Sequence, residues 1–324
     1  CRLVSGNTHL HLKRMSRSEA DRYLTVVPQA DGIDLLYVSH LVRVGDDDSY
    51  ITNTYNADSL AKLSSQHVTL RHGEEHRHNL RANGEGYGHV MLLDISRLIE
   101  PVSIGPGLTK QGTDGIPLNR GIQQARADGA SVIWCHNSLG LEDLANWMTG
   151  VVDAQNIHDG GAHGTYDDTF YRYMNLGMRI PFSTGTDWSV YDLSRVFVPL
   201  DGPIVSSAWL QNLAAGRSFI TNGPLLELQA GAHRVGDTIS LTQPGRVTVG
   251  GRGVGRRDFA KIELVHNGNV VHSAATQQHG ESFEASMKYE LSIDEPGWFA
   301  LRISGDEGVN EFGEQLFGHT SAIY

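Results

Sequence analysis

The sequence predicts an α/β fold, a barrel or an open and largely parallel sheet, followed by an all-β module. Three observations carry this. From Leu3 to about Ile220, short apolar runs alternate with helix-patterned segments, which is the pattern of repeated strand-helix units. After Asn222-Gly223-Pro224 the pattern changes to alternating strands parted by Gly, Pro and Asn turns, and about 100 residues of it describe a β-sandwich. The chain has 324 residues, enough for roughly two domains of about 150 residues each.

Strands are expected at Leu3–His9, Ile33–His40, His67–Arg71, His89–Ile95, Ser131–His136, Val151–Ile157, Ile180–Ser183 and Val196–Leu200, each a short apolar run. Helices are expected at Ser16–Ala30, where Ser16 and Ser18 offer caps and Glu19 sits in the first turn, and at Ala57–Ser65, Asn119–Asp128, Leu141–Met148, Thr165–Leu176 and Ser206–Ala215. In the second part, strands are expected at Leu225–Ala230, Arg246–Gly250, Lys261–His266, Glu284–Leu291 and Trp298–Ile303. Asn267-Gly268 is a hairpin signal between two of these runs. Gly250 to Gly255 reads as a flexible loop rather than a dinucleotide-binding turn, because no helix pattern follows it.

Composition excludes several function classes. Hydrophobic residues make up 40% and charged residues 19% of the chain, so it can bury a core. A net charge of −11 with only five lysines does not provide the clustered cations that nucleic acid demands. No run of about 18 apolar residues is present, so no membrane span is expected. Cys1 and Cys135 are too few for a disulfide framework, and Cys135 reads as a buried free thiol. The absence of disulfides fits the cytoplasm; a start at the first strand suggests trimming, and the periplasm or exterior if a leader was removed.

Eleven of the 16 histidines lie at or before His163 and five after position 222, a spread that carries no signal by itself. Position does. His9 and His11 end the first strand, His40 the second, Glu74 and Glu75 follow the third on a turn, His136 ends another, and Asp187 follows the Ile180 strand. Side chains at strand ends converge on one mouth in α/β barrels. His9-Leu10-His11 places two imidazoles on one face of a strand, and a carboxylate beside imidazoles suits Zn, Mn or Fe.

Gly6-Asn7-Thr8-His9-Leu10-His11, Gly73-Glu74-Glu75, Gly88-His89, the strand ending at His136 and Gly185-Thr186-Asp187 resemble, in that order, the metal motifs of the polymerase-and-histidinol-phosphatase (PHP) superfamily. Residues 216–226 and Gly318-His319-Thr320-Ser321 are similar to segments of its carbaryl-hydrolase-like CehA/McbA branch. The resemblance implies a distorted (β/α)7 barrel over residues 1–222 and a small Ig-like β-sandwich over residues 223–324. It implies two divalent metal ions. His9, His11, Glu75 and Asp187 would hold one, and Glu75, His89 and His136 the other, with Glu75 preferred because the family motif reads Gly-x-Glu. His40 fills the place of a third-metal ligand. Ser39 stands where that site has an aspartate and Ser189 where it has a histidine, so His40 is instead expected to transfer protons or support the other ligands.

Trp188, Tyr87, Arg217, His158, His163, Asn137 and Asn156 are candidates to shape the pocket or touch substrate, by their places at strand ends and loops. His76 and His78 are expected at the mouth or in solvent, and the sandwich histidines on the surface or in turns. His72 to His76 also matches the H-x-x-E-H pattern of zinc proteases, which needs a helix where Gly73 and a strand-like approach oppose one. The expected function is metal-dependent hydrolysis of an ester-type bond, carbamate or carboxylic ester, in a small molecule. The alternatives are a PHP-type phosphoesterase and a non-catalytic metal- or glycan-binding protein. The sandwich is expected either to pack against the barrel or to mediate association into oligomers.

Overall fold

The structure is a computed structural model that describes residues 2–42, 49–78, 86–104, 116–136, 140–159, 169–189, 192–303 and 308–324. In chain order the first part contains strands β1 (Arg2–His11), β2 (Leu35–His40), β3 (Thr69–His78), β4 (Gly88–Leu93), β5 (Ser103–Ile104), β6 (Ser131–Trp134), β7 (Ala154–Asn156), β8 (Phe182–Ser183), β9 (Asp187–Trp188), β10 (Arg195–Leu200) and β11 (Phe219–Thr221). Helices α1 (Arg17–Ala30), α2 (Ala57–Leu63), α3 (Leu118–Ala127), α4 (Asp143–Met148), α5 (Phe170–Asn175) and α6 (Ser206–Ala214) lie between them. The chain is mixed α/β, as the sequence predicts, and richer in strand than in helix.

Strand order runs β10-β1-β2-β3-β4-β6-β7-β8. Pairing is parallel from β1 to β3 and again from β6 to β8, but β4 runs antiparallel to both β3 and β6. The segment after β8 then returns to β1. Thr8 N–H donates to Thr184 O at 3.4 Å, Thr186 N–H to His9 O at 3.0 Å, and β9 pairs with β1 at Leu10↔Asp187 and His11↔Trp188. Gly185 permits this approach, because a Cβ there would stand 2.5 Å from His9 Cβ. Asn7 Nδ2 donating to Thr186 Oγ1 at 2.9 Å and Thr8 Oγ1 to Asn156 Oδ1 at 2.8 Å fix the same junction.

Local chemistry explains the helices. Ser16 caps α1 in a reciprocal capping box with Glu19, a device contributing about 1 kcal/mol. Helix α6 covers β1: the Trp209 ring is fully buried over Gly6, and its indole N–H donates to Val4 O at 3.1 Å. Truncating a ring so placed costs about 3–5 kcal/mol.

The C-terminal strands are β12 (Leu225–Ala230), β13 (His233–Arg234), β14 (Gly245–Gly255), β15 (Lys261–His266), β16 (Asn269–Ala275), β17 (Gln277–His279), β18 (Ser282–Ile293), β19 (Phe299–Ile303) and β20 (Gly318–Thr320). One sheet has the order β13-β12-β14-β18-β17, and the arm β16-β15-β19 faces it across a shared core of Leu228, Val249, Met287, Leu264 and Leu301. Strand β20 pairs with β11 on one side and β19 on the other, so this arm is continuous with the first sheet. Asn267 and Gly268, at φ 50° and 85°, turn the β15–β16 hairpin, as Asn-Gly predicts.

Three expectations are corrected. Strand β3 runs through His78, so Gly73-Glu74-Glu75 is strand and not turn, and the helix needed by a zinc-protease reading of His72 to His76 is absent there. Gly250 to Gly255 belongs to β14, paired residue for residue with β18; alternation of small residues concealed a strand. His319 is not on the surface: it is fully buried, with Nε2 2.7 Å from Tyr171 Oη, and burial pushes its pKa down to about 3.

Candidate metal centre

Each of the six residues singled out by the resemblance reaches one place. His9 and His11 project from one face of β1 by the two-residue period of a strand. Glu75 projects from β3, His89 from the first turn of the pleat in β4, His136 from the segment just past β6, and Asp187 from β9. His89 stands at the start of its strand, yet arrives at the same rim because β4 is antiparallel. The register pairs it directly with Arg77, which puts His89, Arg77 and Glu75 on one side of the sheet. His136 and Asp187 both adopt left-handed backbone, at φ 57° and 59°, the conformational cost that functional sites tend to hold.

The six form two groups joined by one carboxylate. In the first, Glu75 Oε2 lies 3.0 Å from His11 Nε2 and 3.7 Å from His9 Nε2, and Asp187 Oδ1 lies 3.2 Å from His9 Nε2 and 3.8 Å from His11 Nε2. The two Nε2 atoms are 3.0 Å apart. In the second, Glu75 Oε1 lies 3.3 Å from His89 Nδ1 and 3.8 Å from His136 Nε2. Within each group the candidate ligand atoms all fall inside 4.8 Å of one another.

The far ring nitrogens settle which atoms face inward. His9 Nδ1 meets Asp159 Oδ2 at 2.8 Å, His136 Nδ1 meets Asp159 Oδ1 at 3.2 Å, and His11 Nδ1 meets Ser39 O at 3.0 Å. A carboxylate and a carbonyl only accept, so these three Nδ1 atoms carry protons, which leaves Nε2 of each ring as the atom whose lone pair a metal would take. Imidazole Nε2 atoms and anionic oxygens converge at 3.0–3.8 Å, which is favourable when protons on Nε2 or a cation among them supply positive charge. Imidazoles held from behind by a carboxylate or carbonyl are the arrangement that protein metal sites use. The donor set of imidazole and carboxylate fits Zn, Mn or Fe.

Electrostatics agree. Burial would raise the Glu75 carboxyl, but the Arg77 charge and hydrogen bonds from His11, His136 and His9 hold it well below the usual carboxylate range. Burial opposes charge on His9 and His136 too, and is outweighed by Asp187 and Asp159, so both imidazoles favour the cationic form. His89 is pushed down by burial and by the Arg77 charge. The surrounding carboxylates therefore favour positive charge at His9 and His136, which a proton or a metal ion on Nε2 would supply.

Other candidates fall in different places. Trp188 forms the rim beside His11, with ring centroids 5.8 Å apart, stacked on Tyr50 at 6.1 Å and covered by Lys13 Nζ at 4.5 Å. His40 ends β2 and joins neither group; burial, His72 and His11 push its pKa down to about 4. His158 lies against Phe317, ring centroids 4.6 Å apart, and joins neither group. Tyr87 is half-buried against the main core. Asn156 is buried and donates to Asp159 Oδ2 at 3.2 Å, which makes it a support for the centre rather than a substrate contact. Arg217 is not brought to the centre: it is exposed after α6 and donates to Asn212 Oδ1 at 3.2 Å, since the turn from α6 into β11 directs it to solvent. Cys1, Asn137 and His163 lie outside the described residues.

Sequence reasoning missed Asp159 and Arg77. Asp159 follows β7 at the same kind of strand end as His11 and His136, a signal overshadowed by His158 and the glycines beside it. Arg77 is two residues beyond Glu75 and therefore on its face, a relation hidden while Glu75 was placed on a turn. His76 and His78, expected at the mouth or in solvent, are instead buried on the opposite face of β3, where His76 Nδ1 meets Glu74 Oε1 at 2.8 Å and His78 Nε2 lies 3.0 Å from His76 Nε2. Cys135 is a buried free thiol as expected, near His9 and Asp159. Comparison of the whole chain with protein-family models and with curated proteins finds no match.

Proposed function

We propose that the chain is a metal-dependent hydrolase of PHP type that cleaves an ester-type bond of a small molecule. One observation carries the reading: the Glu75 carboxylate is divided, Oε2 toward His9 and His11 and Oε1 toward His89 and His136, as a ligand shared by two divalent ions would be. The return of the β8–β9 segment onto β1 supports the distorted (β/α)7 barrel, with the paired groups at its mouth. His9, His11, Glu75 and Asp187 hold one ion and Glu75, His89 and His136 the other. When bound, such ions supply Lewis acidity and bring the pKa of water near neutrality.

The chain's own residues do the rest. Asp159 and Ser39 O hold three imidazoles in the tautomer that ligates. Asp187 and Glu75 fix the charge of the centre, and Trp188 with Tyr50 walls the side of His11. His40, neutral at pH 7 with its pKa pushed down to about 4 by burial, His72 and His11, supports the His11 side of the centre. The ester class divides into carbamate or carboxylic ester and phosphoester. Arg77, with Nη1 3.5 Å from Glu75 Oε1, puts a cation beside the centre and favours the phosphoester as the second reading. A non-catalytic metal- or glycan-binding module predicts a deficient ligand set, whereas both groups here are complete.

Metal analysis of the purified protein, followed by assay on aryl carbamate, aryl ester and phosphodiester, tests the proposal. About two equivalents of Zn, Mn or Fe are expected. Glu75→Gln should lose both metals and all hydrolysis, since it breaks the ligand common to the two groups. Less than one equivalent in the parent, or full activity in His9→Ala, overturns the reading.

A further inference from the structure

Arg77 has more hydrogen-bonding capacity than the protein uses. Its side chain is 11% exposed, and a guanidinium carries five N–H donors with a charge it does not lose. Among the described residues its side chain has one polar contact, Nη1 to Glu75 Oε1 at 3.5 Å, and its buried Nε has no partner. A buried guanidinium left in this condition is costly, because desolvation is not repaid by one contact at the limit of hydrogen-bond length. The strand dictates where these donors point. Arg77 shares the face of Glu75 and is paired across the ladder with His89, so its fork opens beside the Glu75, His89 and His136 group.

We propose that Arg77 is a substrate-binding residue whose guanidinium takes an oxyanion, phosphoryl or carboxylate, held against the Glu75, His89 and His136 group. The assignment rests on the hydrolase reading and narrows its substrates to those bearing such a group at or next to the scissile bond. Two parallel N–H donors match two oxygens of one phosphoryl or carboxylate group, which an uncharged carbamate does not present. Glu75 cannot serve as that partner: its Oε1 meets only Nη1, and it also faces His89 and His136.

Calorimetric titration of the purified, metal-analysed protein with inorganic phosphate, and separately with acetate, tests this. Arg77→Met should weaken binding of at least one probe about tenfold or more while the metal content stays at the parent's level. The probe that suffers more names the oxyanion. Arg77→Lys keeps a positive charge beside Glu75 without the planar fork; it should retain the metal, and its affinity should still fall several-fold. The inference is overturned if the parent binds neither probe, if Arg77→Met binds both within twofold of the parent, or if Arg77→Met loses metal while Arg77→Lys binds both as the parent does. That last outcome would mean Arg77 acts only through Glu75. A parent holding less than one equivalent of metal defeats the hydrolase reading instead, and the probe titrations still report on Arg77.

Discussion

Replacing Asp159 by Asn should empty one metal group before the other. Asp159 accepts four hydrogen bonds: Oδ1 from His136 N at 3.0 Å and from His136 Nδ1 at 3.2 Å, and Oδ2 from His9 Nδ1 at 2.8 Å and Asn156 Nδ2 at 3.2 Å. Asparagine has one oxygen and one NH2 for these places. The backbone N–H of His136 cannot reverse its polarity, so the carbonyl must face it and the NH2 must face His9 Nδ1. His9 then has to carry its proton on Nε2, the atom 3.2 Å from Asp187 and 3.7 Å from Glu75, and is lost as a ligand. Loss of such a supporting partner typically costs 10- to 100-fold in metal affinity, or ~1.4–2.8 kcal/mol. Titration of the metal-free protein with zinc against a chromophoric chelator reads both groups. The His9, His11, Glu75 and Asp187 group should weaken by that factor and the other by less. Affinities within twofold of the parent at both groups, or a loss confined to the His89 and His136 group, would refute the tautomer argument.

Two further predictions concern the opposite face of β3. Burial pushes the Glu74 carboxyl up to about 8 against a hydrogen bond from Ile99 N. The folded chain therefore holds a proton that the unfolded chain releases near pH 4.5, and the stability this provides is full below that pH and is lost as pH rises through about 8. Chemical denaturation of the chelator-treated protein from pH 5 to 9 should show the parent losing a few kcal/mol more than Glu74→Gln over this range, roughly 1.4 kcal/mol per pH unit; parallel curves would contradict it. Gly121→Ala in α3 should destabilise by about 1–3 kcal/mol despite a better helix propensity, because the new Cβ would stand 2.0 Å from His76 Nε2. A raised Tm would show that His76 yields more easily than its 2.8 Å contact with Glu74 implies.

How much was legible in the sequence depends on how local the signal was. His9 and His11 were readable because a strand repeats every two residues, and His136 and Asp187 because they terminate apolar runs. Arg77 obeyed the same period but needed the correct extent of β3, and composition gives no reason to carry a strand past Arg71 when His72 to His78 are polar. That segment stays extended because it is held on both sides, by β2 and by β4, a fact of tertiary pairing. The Gly250 to Gly255 run failed for the same reason: its strand character comes from the ladder with β18 and not from its own side chains. Asp159 was hidden for a different reason, since its role is to touch two histidines 150 and 23 residues away, and only the folded chain measures that distance.

The antiparallel run of β4 against β3 has a consequence for how the centre tolerates change. Glu75, Arg77 and His89 are spaced by one ladder of backbone hydrogen bonds, much as teeth are spaced by a rack. A slip of one residue would turn His89 to the other face of the sheet together with its whole strand, so intermediate misalignments do not exist. The β3–β4 register therefore acts as an all-or-none gauge for the distance from Glu75 to His89, set by backbone pairing and not by the side chains themselves.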